Sequence, residues 1–258
     1  MKHFHTDKLT VKIFSTRAEM GNQAAKEICD TIRQLLSQKA QINMIFAAAP
    51  SQNEVLDALV HAENIDWGRI RAFHMDEYIG LSKDAPQGFG NFLRQHLFDL
   101  VPFHSVNCID IAATDAEAEC ARYADLLAQY PADIVVMGIG ENGHIAFNDP
   151  PVADFHDPAA VKMVQLDETC RNQQVHDGCF ARLEDVPTHA VTLTVPSLVS
   201  APYLFCIVPA RTKAVAVRET LQGSIDEHCP ASILRTRDNA VLYLDADSAS
   251  LIEGMFAE

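Results

Sequence analysis

The chain has 258 residues, enough for one large α/β domain or two small ones. Hydrophobic residues make up 48% and charged residues 21%, which excludes the disordered and low-complexity classes. The net charge of −15 disfavours nucleic acid and anionic membrane as partners, and no basic patch offsets it: Arg235–Arg237, the densest basic stretch, is followed at once by Asp238.

In chain order, Met1–Lys8 lacks the apolar core of a signal peptide, and no apolar run reaches the roughly 18 residues of a membrane span. Arg17–Leu36 carries Met20, Ala24, Ala25, Ile28, Ile32, Leu35 and Leu36 at helical spacing and predicts an amphipathic helix. A short apolar run, Ile42–Ala49, ends at Pro50. Arg69–Met75 reads as a strand, and Phe89–Phe98 and Asp115–Gln129 read as helices. Asp133–Gly138 is the clearest buried strand, being β-branched and nearly free of polar residues. Strands follow at His189–Val195, Tyr203–Val208 and Ala240–Leu244, with a helix at Thr212–Leu221 and a last helix from about Asp247. The alternation predicts a single doubly wound, mostly parallel α/β sheet with helices on both faces. Residues 1–258 show no internal repeat or linker, so one domain is expected, and Asn148–Pro158 reads as a loop excursion near a site.

Seven scattered cysteines (Cys29, Cys108, Cys120, Cys170, Cys179, Cys206 and Cys229), with no CxxC pair, read as reduced thiols of a cytoplasmic protein. Neither a Gly-x-Ser-x-Gly elbow nor a HExxH or Cys/His cluster is present, so no acyl-enzyme, metal or other cofactor is expected.

Ligands of an open parallel sheet bind beyond the carboxyl ends of its strands, and four unusual segments fall there. In Met137–Pro150, glycines 138, 140 and 143 follow a strand and lead into His144, with Asn142 and Asp149 nearby. The run after His144 is a poor helix, which argues against a dinucleotide site; a Gly-rich turn with a solvent-facing His is the plainer alternative. Phe73–Tyr78 offers Asp76 and Glu77 as a rigidly held carboxylate base, or as a solvated acidic loop. Ala47–Glu54 brings Ser51 and Gln52 to a helix opening whose free N–H groups can cradle a phosphate; a simple cap by Ser51 or Asn53 is the plainer alternative. Pro209–Lys213 opens another helix, where Lys213 either pairs with an anion or stays in solvent.

Met75–Leu81 together with Gly138–Pro150 resembles the glucosamine-6-phosphate deaminase/isomerase family, whose superfamily includes the 6-phosphogluconolactonases. The likeness continues through Val186–Thr194, Thr212–Ala214 and Cys229–Ser232, covering nearly the whole chain in order. The resemblance implies a modified Rossmann-like fold. It also implies a metal-free conversion of an amino-sugar phosphate to a ketose phosphate plus ammonia. Under it, Asp76 carries the proton from C2 to C1, His144 assists ring opening, a carboxylate at 149 orients His144, and Lys213 and the Ser51 turn hold the phosphate. The expected partner is a small sugar phosphate, with a slight lean towards a homo-oligomer.

Several positions depart from the family pattern. Asn142 stands where the family has Asp, and Asp149, one methylene shorter than the usual Glu, is expected to reach His144 only with a local shift. The two changes together predict weaker anionic support of His144. Ala47-Ala-Ala-Pro-Ser-Gln52 replaces a Gly-rich phosphate loop, a family arginine falls somewhere in Cys170–Phe180, and Pro151-Val152-Ala153 replaces a Ser-Ser pair of allosterically regulated members. The alternatives are a lactonase or another sugar-phosphate isomerase, and, in a different class, a sugar-phosphate-binding protein without turnover.

Overall fold

A computed structural model describes residues 1–252 and 254. The strands are β1 (Lys2–Thr6), β2 (Leu9–Ile13), β3 (Ile42–Phe46), β4 (Ile70–His74), β5 (Asp76–Tyr78), β6 (Ser105–Asn107), β7 (Ile134–Met137), β8 (Val161–Gln165), β9 (His189–Leu193), β10 (Tyr203–Val208) and β11 (Ala240–Leu244). The α-helices are α1 (Arg17–Leu36), α2 (Asn53–Val60), α3 (Phe89–Leu93), α4 (Ala116–Gln129), α5 (Glu168–His176), α6 (Val195–Val199) and α7 (Ala214–Gln222).

Eight strands form the main sheet in the order β1-β2-β11-β10-β7-β3-β4-β6, parallel throughout except for the β1–β2 hairpin at one edge. Strand β7 lies in the interior and is fully buried. Its side chains alternate. Ile134 and Val136 join the layer of α1, α2 and α3, and Val135 and Met137 join that of α4, α6 and α7. Both faces are thus covered, which is why this strand is a continuous apolar run. Helix α1 has the expected bounds, because Thr16 caps it by accepting a hydrogen bond from the Glu19 N–H (3.2 Å) and its apolar stripe has one face to bury.

After β3 the chain builds outward to β4 and β6; after β7 it builds the other way, to β10 and β11. The carboxyl ends of β3 and β7 therefore flank the point where the winding reverses, and the connecting loops splay apart there.

The structure departs from the predicted elements in several places. His189–Val195 yields β9, but that strand leaves the main sheet and pairs antiparallel between β5 and β8 in a small second sheet. Its residues 190–193 are buried on both sides, so its composition matches a parallel-sheet strand. The helix expected over Phe89–Phe98 is α only to Leu93 and widens into a π turn over Arg94–Phe98. Residues 247–251 form turns, closed by the Ile252 N–H on the Ala249 carbonyl (3.0 Å), in place of the start of the last helix; the rest of that expectation lies outside the described residues. Strands β1, β2, β5, β6 and β8 and helices α5 and α6 lie outside the elements that the sequence predicts.

Candidate active site

The four segments expected at strand ends converge on one cleft of about 500 Å³, open solvent at its mouth included. Asp76, His144, Ser51, Gln52, Lys213, Gly138 and Gly140 all line it. Glu77, Asn142, Gly143 and Asp149 stand behind that lining.

The loop after β7 is not helical; a tight turn closes with a bridge between Ile145 and Asn148, and Ala146 adopts φ +48°. This reversal turns Asp149 back towards His144. Its carboxylate lies 2.8 Å from His144 Nδ1, so the shorter side chain reaches without the anticipated difficulty. Asn142 Oδ1 also lies 2.8 Å from that nitrogen, and the Asn142 amide donates to Asp149 Oδ1 at 2.9 Å. Two acceptors at Nδ1 place the imidazole proton there and leave Nε2 for a cleft ligand. Burial alone would raise the Asp149 pKa, but the pull of His144, with hydrogen bonds from Asn142 and Cys170, holds it below the ordinary value.

Two glycines make this arrangement possible. A Cβ on Gly140 would sit 2.1 Å from His144 Cε1, so the ring occupies the space a side chain would need. Gly143 has φ +85°, and a Cβ there would meet Cys229 Sγ at 2.7 Å.

Asp76 is the first residue of β5 and pairs with Thr192 of β9. The hydroxyl of Thr192 accepts the Phe147 N–H (3.1 Å), and Asn148 donates to the Leu193 carbonyl (2.8 Å). The small sheet thus clamps the Asp76 strand and the His144 loop to one bracket. The Asp76 side chain is buried and accepts no hydrogen bond from the described residues. Burial, then the Glu77 and Asp149 carboxyls, push its pKa well above the ordinary range.

Glu77 points elsewhere. Its carboxylate accepts the N–H groups of Tyr78 (2.9 Å), Phe89 (3.0 Å) and Gly90 (2.8 Å), binding β5 to the start of α3. Burial lifts its pKa to about 7 even against these three donors. Glu77 is therefore a fastening, and of the Asp–Glu pair only Asp76 faces the cleft.

Lys213 is the one Lys or Arg among the described residues that line the cleft, and it is only 5% exposed. It forms no salt bridge with a described carboxylate, and burial lowers its pKa. It follows a turn in which Ala210 holds φ +80°, an unfavourable conformation for a side-chain-bearing residue, and the Ala210 N–H is tied to the Asp245 carboxylate (3.2 and 3.1 Å). Opposite, Gln52 donates to the Ser51 hydroxyl and to the Ile207 carbonyl (both 3.1 Å), which fixes the β3 loop against β10.

Sequence reasoning missed Gln173 and Gln174, both buried in the lining on α5. Two glutamines hidden on a short polar helix were the available signal. Arg171, the arginine of that segment, is turned away, donating to the carbonyls of Leu183 (2.7 Å) and Val186 (3.0 Å). Cys170, on the same helix, is buried beside Asp149 and His144.

Residues 15–243 match the family described as glucosamine-6-phosphate isomerases/6-phosphogluconolactonase. A glucosamine-6-phosphate deaminase of Listeria monocytogenes serotype 4a is 35% identical over 82% of this chain and 88% of its own length. One from Bacillus cereus (strain G9842) is 32% identical over 97% of this chain and 90% of its own. Among solved structures, a monomeric glucosamine-6-phosphate deaminase superposes with TM-score 0.85 at 29% identity, over 93% of this chain and 99% of that one. A 6-phosphogluconolactonase from Thermotoga maritima shares the fold, with TM-score 0.76 at 19% identity over 92% of this chain and 100% of that one.

Proposed function

The chain belongs to the glucosamine-6-phosphate isomerase/6-phosphogluconolactonase family, and from that premise we propose that it converts glucosamine 6-phosphate and water to fructose 6-phosphate and ammonia. The reading takes the deaminase branch because the relatives at 32–36% identity are deaminases, whereas the lactonase likeness is one of fold. The observation that carries it is a buried carboxylate without a hydrogen-bond partner, Asp76, sharing a cleft with an imidazole whose Nδ1 is anchored and whose Nε2 is free for ligand.

In this mechanism Lys213 and the Ser51 hydroxyl hold the phosphate, drawing the sugar across the strand ends. His144 Nε2 takes the proton of the anomeric hydroxyl and returns it to the ring oxygen as the pyranose opens. Asp149 and Asn142 keep the ring in the tautomer this needs. Asp76 then removes the C2 proton and delivers it to C1. The C2–N bond breaks, the oxygen of water becomes the C2 carbonyl, and ammonia leaves. A raised carboxyl pKa suits a group that must take a carbon-bound proton and give it back. Gln174, which carries no charge, hydrogen-bonds the sugar hydroxyls, while Gln173 is held by the Glu141 N–H (2.8 Å) and the Asp177 carboxylate (3.3 Å) and braces the cleft wall. The chain is read as one domain, and its seven free thiols fit a reducing, cytoplasmic setting.

A proton NMR time course with glucosamine 6-phosphate in D2O tests the reading. Loss of the C2 proton signal together with the appearance of fructose 6-phosphate is the expected result. An unchanged C2 signal at high enzyme concentration overturns it. Hydrolysis of a 6-phosphogluconolactone under the same conditions would then move the protein to the lactonase branch.

A further inference from the structure

Behind His144, on the side away from Nε2, three metal-binding donor types come together from two distant segments. His144 Nδ1, an Asp149 carboxylate oxygen and Cys170 Sγ all lie within 4.8 Å of one another, and all three residues are buried. Asn142 Oδ1, 2.8 Å from the same Nδ1, adds a fourth donor. Within this cluster Asp149 Oδ2 is buried with no nitrogen or hydroxyl donor on it, and the weakly donating Cys170 thiol is what answers the carboxylate besides Asn142 and His144. A buried carboxylate oxygen met so weakly favours a cation in place of the thiol proton.

Tetrahedral zinc holds nitrogen and oxygen ligands at about 2.0–2.2 Å and sulfur at about 2.3 Å, which spaces the donor atoms by roughly 3–4 Å. The present spacing needs the His144–Asp149 pair to open by a few tenths of an ångström and Cys170 to close by up to about one, within reach of side-chain rotation alone. Imidazole, carboxylate and thiolate together select a borderline or soft ion such as Zn2+ over Mg2+ or Ca2+. Burial, then the carboxyls of Asp149, Asp167 and Asp76, hold the Cys170 thiol well above its ordinary pKa, with Lys213 also in electrostatic reach, so the sulfur keeps its proton until a metal replaces it.

We propose that His144, Asp149 and Cys170 form an inhibitory site for a thiophilic divalent transition metal, with Asn142 or a water as fourth ligand. On binding, the Cys170 thiol releases its proton to solvent and the metal–sulfur bond forms. The proton on His144 Nδ1 leaves to solvent as the metal takes its place, and Nε2 takes one up from solvent, so the imidazole stays neutral in its other tautomer. The nitrogen facing the cleft thereby changes from acceptor to donor, and the imidazole can no longer take the proton of the anomeric hydroxyl. The metal is thus an antagonist of turnover and has no part in it. Metal binding rests on the donor geometry alone; inhibition rests also on the deaminase reading.

Cobalt(II) titration of the purified full chain, stripped with chelator, separates the two. One ion per chain should bind with the near-ultraviolet thiolate-to-cobalt charge-transfer band and the visible bands of a tetrahedral ion. Cys170→Ser should abolish the charge-transfer band and weaken Zn2+ binding at least 10- to 100-fold, since loss of a mere supporting residue already costs that much. Cys229→Ser, a thiol outside the cluster, should leave the band intact. X-ray absorption of the wild-type zinc complex needs no variant and should show one sulfur with nitrogen and oxygen neighbours. Absence of the band, its survival in Cys170→Ser, or a zinc shell with two or more sulfurs overturns the site. In assays Zn2+ should stop turnover and chelator restore it. A bound metal without inhibition overturns the inhibitory role and leaves the deaminase reading to its own test.

Discussion

The groups around the cleft fall into two sets that the fold treats in opposite ways. His144, Asn142 and Asp149 form a closed network, and Glu77 beside them spends both carboxylate oxygens on backbone N–H groups. The side chains of Asp76 and Lys213, of opposite charge and both buried, have neither a hydrogen bond nor an ion pair with the described residues. The first set is tied together before any ligand arrives, with Asp149 Oδ2 alone of its carboxylate oxygens left over. The second is held at a cost in folding energy, and both members shift their pKa towards the neutral form because burial is not offset by a partner. Groups of the closed set should therefore matter most to stability and groups of the open set most to turnover.

Asp76→Asn breaks the comparison most sharply. Loss of the base should lower kcat by about 10²- to 10⁴-fold. The melting temperature should stay level or rise at pH 8, because a buried, unpartnered charge is gone. A variant that retains turnover, or that melts much earlier, removes Asp76 from the open set. Lys213→Met comes next. KM should rise about 10- to 100-fold with a smaller change in kcat, the loss expected for one charge-assisted hydrogen bond to phosphate. Competitive inhibition by inorganic phosphate should weaken in parallel, and thermal stability should not fall.

Glu77→Gln is the reverse experiment. One carboxylate oxygen becomes an NH2 facing backbone N–H groups, costing about 1–3 kcal/mol in a denaturant titration, with kcat changed only a few-fold. Its pH dependence has a definite sign. A folded-state pKa near 7, above the usual 4.5, means that the native state binds the extra proton. The contribution of Glu77 is then fully present below pH 4.5 and lost as pH rises through about 7. Wild-type stability should decline over that window, and Glu77→Gln should flatten the decline. The smallest effect is expected for Asn142→Asp. It replaces the amide donor to Asp149 with a second carboxylate at 2.9 Å spacing, lowering stability by about 1 kcal/mol at pH 8 and by less at pH 5, because like charges side by side raise the pKa of the pair and ease protonation as pH falls. Equal losses at the two pH values would show that charge is not the cause.

The legible parts of this protein were those in which one local signal suffices. Helix α1 and strands β10 and β11 have the bounds that periodicity and apolar runs predict, since each buries its side chains against neighbours of the same sheet or layer. The Asp76 and His144 segments stood out because a Gly-rich turn and a carboxylate pair sit at strand ends, where ligands bind in such sheets. Which member of the pair faces the cleft was legible only through the family resemblance, which implies Asp76, because consecutive strand residues point to opposite sides and the local pattern suits either. Nor was the reach of Asp149. It depends on Ala146 at φ +48°, a left-handed conformation that nothing in the sequence demands of an alanine.

The sequence by itself determined the doubly wound sheet, its two covered faces and the residue types at its carboxyl edge, because these follow from spacing within short windows. Tertiary structure alone decided that β9 leaves the main sheet to brace Asp76 and the His144 loop, that Lys213 stays buried without a counter-ion, and that Cys170 closes on His144 and Asp149. Each of these is a contact between segments tens of residues apart, and it is set by which surfaces remain to be covered once the main sheet has formed. Local propensity carries no record of that remainder.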